Sequence, residues 1–130
     1  MSRFVPAGVV AACVVAGAAC AADHTTDSLE TVKKAVSDGK AVLVDVREES
    51  EWKDGRLKDA RHLALSDIKA GVPADKLKEK LPAGKVVYLH CAAGGRCRVA
   101  ADHLKKLGYD VRPLKDGYDR LLKAGFEKAK

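Results

Sequence analysis

Two short apolar runs constrain the fold of this chain more than any other feature of its sequence. Residues 41–46 are AVLVDV and residues 85–90 are KVVYLH. Neither run alternates apolar and polar residues, as a strand with one face in water would, so each is expected to form a strand covered on both faces. Because helical patterns lie between the two runs, the strands are expected to be parallel and joined by right-handed crossovers.

Capping residues and turn residues divide the rest of the chain into helices and shorter strands. Asp27 and Ser28 precede a helical stripe that Asp38 and Gly39 end, and Pro73 stands where a helix begins. The other expected elements are strands at 60–65 and 111–114, a helix capped by Ser66 and Asp67, and helices at 74–81, 98–107 and 118–123. The sequence therefore predicts a small doubly wound α/β domain, in which helices cover both faces of a parallel sheet.

An apolar segment at the start of the chain predicts export. Residues 4–22 carry no charged side chain and follow Arg3, which is the pattern of a secretory signal peptide that is cleaved after Ala21 or Ala22. The segment is too rich in alanine and glycine to favour an uncleaved membrane span. We therefore expect a bacterial protein that is exported to the periplasm or secreted, with no membrane span once the signal peptide at 1–22 is removed.

The predicted cleavage divides the chain into three parts. The signal peptide is followed by a short polar segment at 23–28 and by one globular domain at 29–130. The chain has 130 residues, of which 47% are apolar and 32% charged, and these values suit one soluble domain and exclude a repeat array or a disordered polymer. A lipobox-like pattern at 10–13 leaves a lipid anchor as an alternative. The sequence does not indicate the oligomeric state.

The cysteines that remain after cleavage are expected to carry chemistry. Removal of the signal peptide also removes Cys13 and Cys20, which leaves Cys91 and Cys97. Their spacing matches no common zinc pattern and the histidines form no ligand cluster, so neither a metal nor another cofactor is predicted. The net charge of +6 weakly favours anionic partners. No basic stripe is interleaved with aromatic residues, so no nucleic-acid partner is expected.

Cys91 follows directly on the second apolar run. Sheets of this kind bind ligands beyond the carboxyl ends of their strands. Gly94 and Gly95 suit a loop with positive φ angles or a tightly curved backbone, whose main-chain N–H groups point inward and bind an anion. Arg96 and the start of the following helix favour a thiolate over a thiol. We therefore expect the Cys91 sulfur to be ionised, exposed and nucleophilic.

Two stretches of the chain match the motifs of a known family. The first has the pattern Cys-x-x-Gly-x-Arg and consists of Cys91, Ala92, Ala93, Gly94, Gly95 and Arg96. The second consists of Asp45, Val46, Arg47, Glu51, Trp52 and Gly55. On these residues the chain, from about Leu29 to Phe126, resembles a single-domain rhodanese, a rhodanese-like sulfurtransferase. Arg56 stands where this family usually has histidine, and Cys97 where serine or threonine is common.

The resemblance implies a two-step transfer of sulfur through Cys91. The thiolate attacks the sulfane sulfur of a small anionic donor such as thiosulfate, and a thiol or cyanide acceptor then takes the sulfur from the resulting persulfide. In this scheme the loop of residues 92–96 binds the donor and the persulfide. Asp45, Arg47 and Glu51 form the structural signature and are expected to brace the fold.

Two aromatic side chains near these motifs are expected to be structural. Consecutive side chains of a strand point to opposite faces, so His90 is expected to point away from the sulfur of Cys91 rather than to act as its base. Trp52 is the only tryptophan of the chain, and it is expected to lie in the core.

Three other functions stay open. Cys97 is a candidate resolving cysteine for a thiol–disulfide redox protein, or else it replaces a small serine in the first turn of a helix. A cysteine phosphatase or arsenate reductase has one more residue in the loop than the four that separate Cys91 from Arg96. A non-catalytic binding module on the same fold needs no nucleophilic cysteine.

Overall fold

The computed structural model describes residues 21–130. The predicted signal peptide, with Cys13 and Cys20, lies outside the described residues except for Ala21 and Ala22. Within residues 21–130, none of the helices is long and apolar enough to cross a membrane.

The described residues form a four-stranded parallel sheet, as the two apolar runs predict. Its strands are β1 (Ala41–Asp45), β2 (Ala60–His62), β3 (Val86–His90) and β4 (Asp110–Pro113), and their order is β2-β1-β3-β4. The central strands β1 and β3 pair in register from Ala41 beside Val86 to Asp45 beside His90. Every residue of β1 is buried, because helices cover the sheet on both faces.

Helices pack on both faces of this sheet. In the described part of the chain they are α1 (Leu29–Ser37), α2 (Glu49–Asp54), α3 (Leu65–Ala70), α4 (Ala74–Lys80), α5 (Arg96–Lys106) and α6 (Tyr118–Lys123). Val32 of α1 and Leu121 of α6 share one apolar cluster with Leu43 of β1. Helices α3, α4 and α5 contribute to the cluster on the other face, where Leu104 joins Val44. This arrangement confirms the predicted doubly wound fold.

The order of the strands brings Cys91 to the switch point of the sheet. From β1 the chain runs outward to β2 at one edge, and it then crosses to β3 and β4 on the other side. The connections therefore diverge between the carboxyl ends of β1 and β3, which is where such sheets bind ligands. Asp45 ends β1 and Cys91 follows β3, so both lie at this edge.

Two helix starts differ from the sequence expectation. Helix α2 was not expected, because the residue before it is Glu48 rather than one of the small polar residues that usually cap a helix. Helix α3 has Ala64 at its N-cap, so the prediction that Ser66 and Asp67 cap it is wrong. The Ser66 hydroxyl donates instead to the Glu48 carboxylate at 2.6 Å, which joins the starts of α2 and α3.

Two other boundaries lie a few residues from those expected. Strand β2 ends at His62 rather than at residue 65, and the Leu63 N–H makes one more bond to the Asp45 carbonyl at 3.0 Å before the chain turns into α3. Helix α5 begins at Arg96 rather than at residue 98, because Gly95 before it already has helical angles. Arg96 therefore lies in the first turn of α5.

The polar segment before α1 packs on the domain. We call residues 22–27 the N-terminal strap. The Ala22 N–H donates to the Arg98 carbonyl at 3.1 Å, and the Ala22 carbonyl accepts from the Arg98 Nε at 2.8 Å. Further along the strap, the Thr25 N–H donates to the carbonyl of Pro113, at the end of β4, at 2.8 Å. The strap therefore joins the start of α5 to the end of β4.

A buried ion pair braces the carboxyl end of β1. Asp45 is fully buried and Arg47 is 5% exposed. The Nε and Nη2 groups of Arg47 donate to both carboxylate oxygens of Asp45 at 2.8 to 3.0 Å. Nη2 also donates to the Gly55 carbonyl at 2.6 Å. The pair therefore holds the turn after α2 against the end of β1.

We expect Arg47→Ala to destabilise the fold strongly. The change leaves the Asp45 carboxylate buried without its partner, which typically costs about 3–5 kcal/mol of unfolding free energy. Chemical denaturation monitored by circular dichroism measures the loss. Lys58→Ala is the control, since Lys58 pairs with Glu127 on the surface and its removal leaves the unfolding free energy nearly unchanged. Equal losses in the two variants would contradict the bracing role.

Candidate active site

Cys91 lies at the switch point but is not exposed. Its exposed fraction is 1%, so the expectation of an exposed sulfur is wrong. The loop of residues 92–96 folds back on the sulfur, and Gly94 of this loop is itself buried. A Cβ on Gly94 would lie 2.6 Å from the Lys115 carbonyl oxygen and 3.4 Å from the Nε2 of His24, so two other segments press directly on the loop.

Main-chain N–H groups converge on the Cys91 sulfur. The Gly94 N–H donates to Sγ at 3.0 Å, and the N–H groups of Ala93 and Cys97 also bond to the sulfur. Gly94 needs the freedom of glycine because its φ is 94°. Gly95 does not, since its φ is −86°, and it takes the helical backbone that leads into α5. The loop forms a cup of donors, as an anion site requires.

The thiol of Cys97 is a further donor beside this cup. Its Sγ lies 3.4 Å from the Gly94 carbonyl and 3.3 Å from the Leu114 carbonyl, and its interaction with the Cys91 sulfur has the largest effect on the pKa of Cys91. This S–H, followed by the N–H groups of the loop, outweighs burial and lowers the pKa of Cys91 to about 5. Cys91 is therefore a thiolate at neutral pH, with higher reactivity than a thiol.

The same contact keeps Cys97 protonated. The bond to the Cys91 thiolate and burial both raise the pKa of Cys97 well above its usual range. Within residues 21–130, Cys91 and Cys97 form no disulfide. While Cys91 is ionised, Cys97 is therefore placed to donate a hydrogen bond beside the thiolate.

Arg96 is paired with Glu51 instead of pointing freely into the site. Its guanidinium donates to both Glu51 oxygens, at 2.6 and 2.9 Å. The pairing lowers the pKa of Glu51 to about 2 and raises the pKa of Arg96. Arg96 was expected to orient an anionic donor, but its fork is occupied because the unexpected helix α2 brings Glu51 opposite the loop. The ion pair clamps α2 to the start of α5.

The side chain of His90 lies on the face of the sheet that α6 covers, and it points away from the loop, as its place in the strand predicts. Its side chain is fully buried, 3.7 Å from the Asp45 carboxylate, and its ring stacks on Tyr118 with centroids 6.5 Å apart. Burial is the main effect that lowers the pKa of His90, so its ring is neutral at pH 7. The Tyr118 N–H donates to the Cys91 carbonyl at 2.9 Å. Tyr118 and His90 therefore hold the main chain of Cys91 from the far side.

Trp52 does not lie in the core as expected. It is half-buried, its ring stacks on His62 with centroids 4.8 Å apart, and the Arg56 guanidinium lies 4.9 Å above it. The reason is that α2 buries none of its residues. The stack of His62, Trp52 and Arg56 lies at the surface next to the Glu51–Arg96 ion pair.

Several residues that the sequence did not single out complete the site. His24 of the N-terminal strap contacts the Gly94 carbonyl at 2.6 Å. A Cβ on Gly117 would lie 1.8 Å from the Ala92 carbonyl oxygen, so only glycine lets the segment before α6 pack on the loop. Beside the loop is a cavity of about 530 Å³, lined by Ala92, Ala93, Lys115, Asp116, Gly117, Asp119 and Arg120.

This geometry suits covalent chemistry on a sulfur atom. The thiolate supplies a nucleophile, the N–H cup stabilises negative charge, and the neighbouring cavity admits a small reagent. Within residues 21–130, no three His, Cys, Asp or Glu side chains are grouped so as to hold a metal ion.

Of two proteins with similar sequences, one is named as a sulfurtransferase. The chain is 35% identical to an uncharacterized protein of Bacillus subtilis over 82 residues, which are 62% of this chain and 60% of the relative. It is 32% identical to a tRNA sulfurtransferase of Desulfurococcus amylolyticus over 92 residues, which are 71% of this chain and 17% of that protein. The chain thus spans less than two thirds of either relative.

Comparison of structures points to the same fold. A human single-domain sulfurtransferase superposes with a TM-score of 0.62 at 23% identity, covering 75% of this chain and 95% of that one. The sequence model of the rhodanese-like domain matches residues 28–124, which include the strands, the loop after Cys91 and the Glu51–Arg96 clamp. The protein is therefore a member of the rhodanese-like domain family, in which sulfurtransferases are found.

Proposed function

We propose that this protein is a sulfurtransferase that moves sulfane sulfur from a small anionic donor such as thiosulfate to a thiophilic acceptor. The observation that carries the proposal is the buried Cys91 sulfur, which accepts the Gly94 N–H at 3.0 Å and whose pKa the Cys97 thiol and the N–H groups around it lower to about 5. Such a set of donors stabilises a negatively charged sulfur before and after a second sulfur atom is attached. Membership of the family supports the same class of reaction.

The first step forms a persulfide on Cys91. The Cys91 thiolate attacks the outer sulfur of thiosulfate, the S–S bond of the donor breaks, and sulfite leaves with the electron pair of that bond. The cavity beside Ala92 and Ala93 is the proposed binding place of the donor. Since Glu51 is bonded to the Arg96 guanidinium, the charge of the donor is met by the N–H groups of the loop and by Lys115 and Arg120, which line the cavity.

The second step returns Cys91 to its starting state. A thiolate or cyanide attacks the terminal sulfur of the persulfide, and the Cys91 thiolate leaves. A leaving thiol with a low pKa departs faster, and the pKa of Cys91 is about 5. The donors that activate Cys91 in the first step therefore also favour its release in the second.

The alternative functions fit the site less well. A phosphatase or arsenate reductase needs a free guanidinium for a tetrahedral oxyanion, whereas Arg96 is held by Glu51. A redox protein needs Cys97 to attack an oxidised Cys91, whereas the Cys97 thiol points to the carbonyls of Gly94 and Leu114. A binding module alone needs no ionised cysteine in a cup of donors.

Export is part of the same proposal. The uncharged residues 4–22 after Arg3 support a signal peptide and a periplasmic or secreted location in a bacterium. The donor and acceptor are then small molecules of that compartment.

We expect the purified protein to form thiocyanate from thiosulfate and cyanide, and Cys91→Ala to abolish this activity because no persulfide can form. Intact mass after incubation with thiosulfate should show one added sulfur atom on the unchanged protein and none on the variant. Melting curves verify that the variant is folded. Equal turnover by the variant, robust hydrolysis of p-nitrophenyl phosphate, or a loss of two hydrogens in place of the added sulfur would each refute the assignment.

We expect Cys97→Ala to raise the pKa of Cys91 from about 5 towards the ordinary thiol value of about 8.5. Cys97→Ser keeps a donor at this position and is the matched control, in which the pKa stays low. The ultraviolet absorbance of the thiolate, followed against pH, measures the midpoint. The thiolate of Cys91 predominates only above the pKa of Cys91. Sulfur transfer by the alanine variant should therefore be slower near pH 6 and recover at alkaline pH. Identical midpoints in the two variants would exclude the donor role.

The two glycines of the loop provide a matched pair of substitutions. Gly94→Ala puts a Cβ 2.6 Å from the Lys115 carbonyl at a positive φ. The loop must then shift, and the hydrogen bond from the N–H of residue 94 to the Cys91 sulfur is broken. We expect sulfur transfer to fall about a hundredfold, as when one donor of an anion site is removed. Gly95→Ala meets open space and should keep nearly full activity. Steady-state kinetics compare the two, and similar losses in both would be inconsistent with the N–H cup.

A further inference from the structure

The N-terminal strap places an imidazole directly on the sulfur-binding loop. The Nε2 of His24 lies 2.6 Å from the carbonyl oxygen of Gly94, a residue 70 positions away along the chain. A carbonyl oxygen can only accept a hydrogen bond, so Nε2 carries the proton and donates it. The donor of this contact therefore comes from a segment outside the loop and the helix that surround the sulfur.

Gly94 is the point of the loop that most needs such a contact. Its N–H donates to the Cys91 sulfur, while its φ of 94° lies in a region where glycine moves freely. The residue itself therefore does not determine how its two peptide groups are oriented. A bond to the Gly94 carbonyl restricts the peptide group that follows, and this restriction keeps the preceding N–H aimed at Sγ.

The residues that follow His24 hold it against the loop. The Thr25 N–H is bonded to the Pro113 carbonyl, and the Asp27 carboxylate accepts from the Tyr88 hydroxyl at 2.6 Å. These bonds set the distance of the imidazole from the loop, and they are kept whether the signal peptide is cleaved after Ala21 or after Ala22.

The Gly94 carbonyl oxygen faces a second donor besides His24. The Cys97 thiol points to this oxygen at 3.4 Å, and the same thiol also lies close to the Leu114 carbonyl and the Cys91 sulfur. An oxygen that already accepts a short bond from His24 is a weaker acceptor for a second donor. His24 thus leaves the S–H of Cys97 more available to the Cys91 thiolate, whose other charged or titratable neighbours are Arg96 and His90.

We propose that His24 is a positioning residue for the Cys91 loop, which holds the Gly94 peptide so that the loop binds a negatively charged sulfur. The effect on sulfur transfer rests on the proposed function, whereas the effect on the Cys91 thiolate does not. His24 does not touch the reacting sulfur, and its role is carried entirely by the Gly94 carbonyl.

The test compares three single variants of the full chain. His24→Ala removes the donor, and His24→Gln keeps an N–H group on a side chain of similar reach. Thr25→Ala is the control on the neighbouring residue, because the Thr25 hydroxyl bonds to Asp27 within the strap and the Thr25 N–H is kept. The thiolate absorbance of each variant is followed against pH, with Cys91→Ala as the blank, and sulfur transfer is measured in parallel.

We expect His24→Ala to raise the Cys91 midpoint by about one pH unit, a tenfold change in the ionisation constant. His24→Gln should restore it and Thr25→Ala should leave it unchanged. An unchanged midpoint in His24→Ala, or the same rise in Thr25→Ala, would overturn the role of His24. If the unchanged protein transfers no sulfur, the proposed function fails, while the titration still decides the role of His24.

Discussion

The structure depends on holding negative charge on a sulfur atom that water barely reaches. Removing an anion from water is unfavourable unless other donors replace the lost hydration. Here the donors are the N–H groups of Ala93, Gly94 and Cys97 and the S–H of Cys97. They converge only while the end of β3, the loop and the first turn of α5 keep fixed relative positions. The rest of the site can be understood as the means of keeping them so.

The charged residues around the loop are engaged with each other rather than with the sulfur. Glu51 and Arg96 join α2 to α5, and Asp45 and Arg47 join the end of α2 to β1. Because these carboxylates and guanidiniums already have partners, the donors closest to the sulfur are the neutral N–H groups of the loop and the Cys97 thiol. Such a site responds to the charge of a small ligand through geometry more than through a free side-chain cation.

Much of this architecture follows from local sequence patterns. The unbroken apolar runs predicted the central strands, and the cysteine after the second run predicted where the site lies. Helix α2 could not be predicted, because Glu48 is an unusual cap and the helix buries no residue. The pairing of Arg96 with Glu51 and the burial of Cys91 depend on α2 and on distant segments that fold onto the loop. The contact of His24 with Gly94 spans 70 positions and leaves no periodic signal.

The edges of the sheet have a consequence for the behaviour of the protein in concentrated solution. An open edge strand can recruit a strand of another molecule and start aggregation. The edge strand β2 has only three residues. At the other edge, β4 ends in Pro113, whose carbonyl is already bonded to the strap, and Arg112 of β4 is paired with Asp110 and Asp27. Both edges are thus poor templates for intermolecular pairing, which favours a chain that stays dispersed.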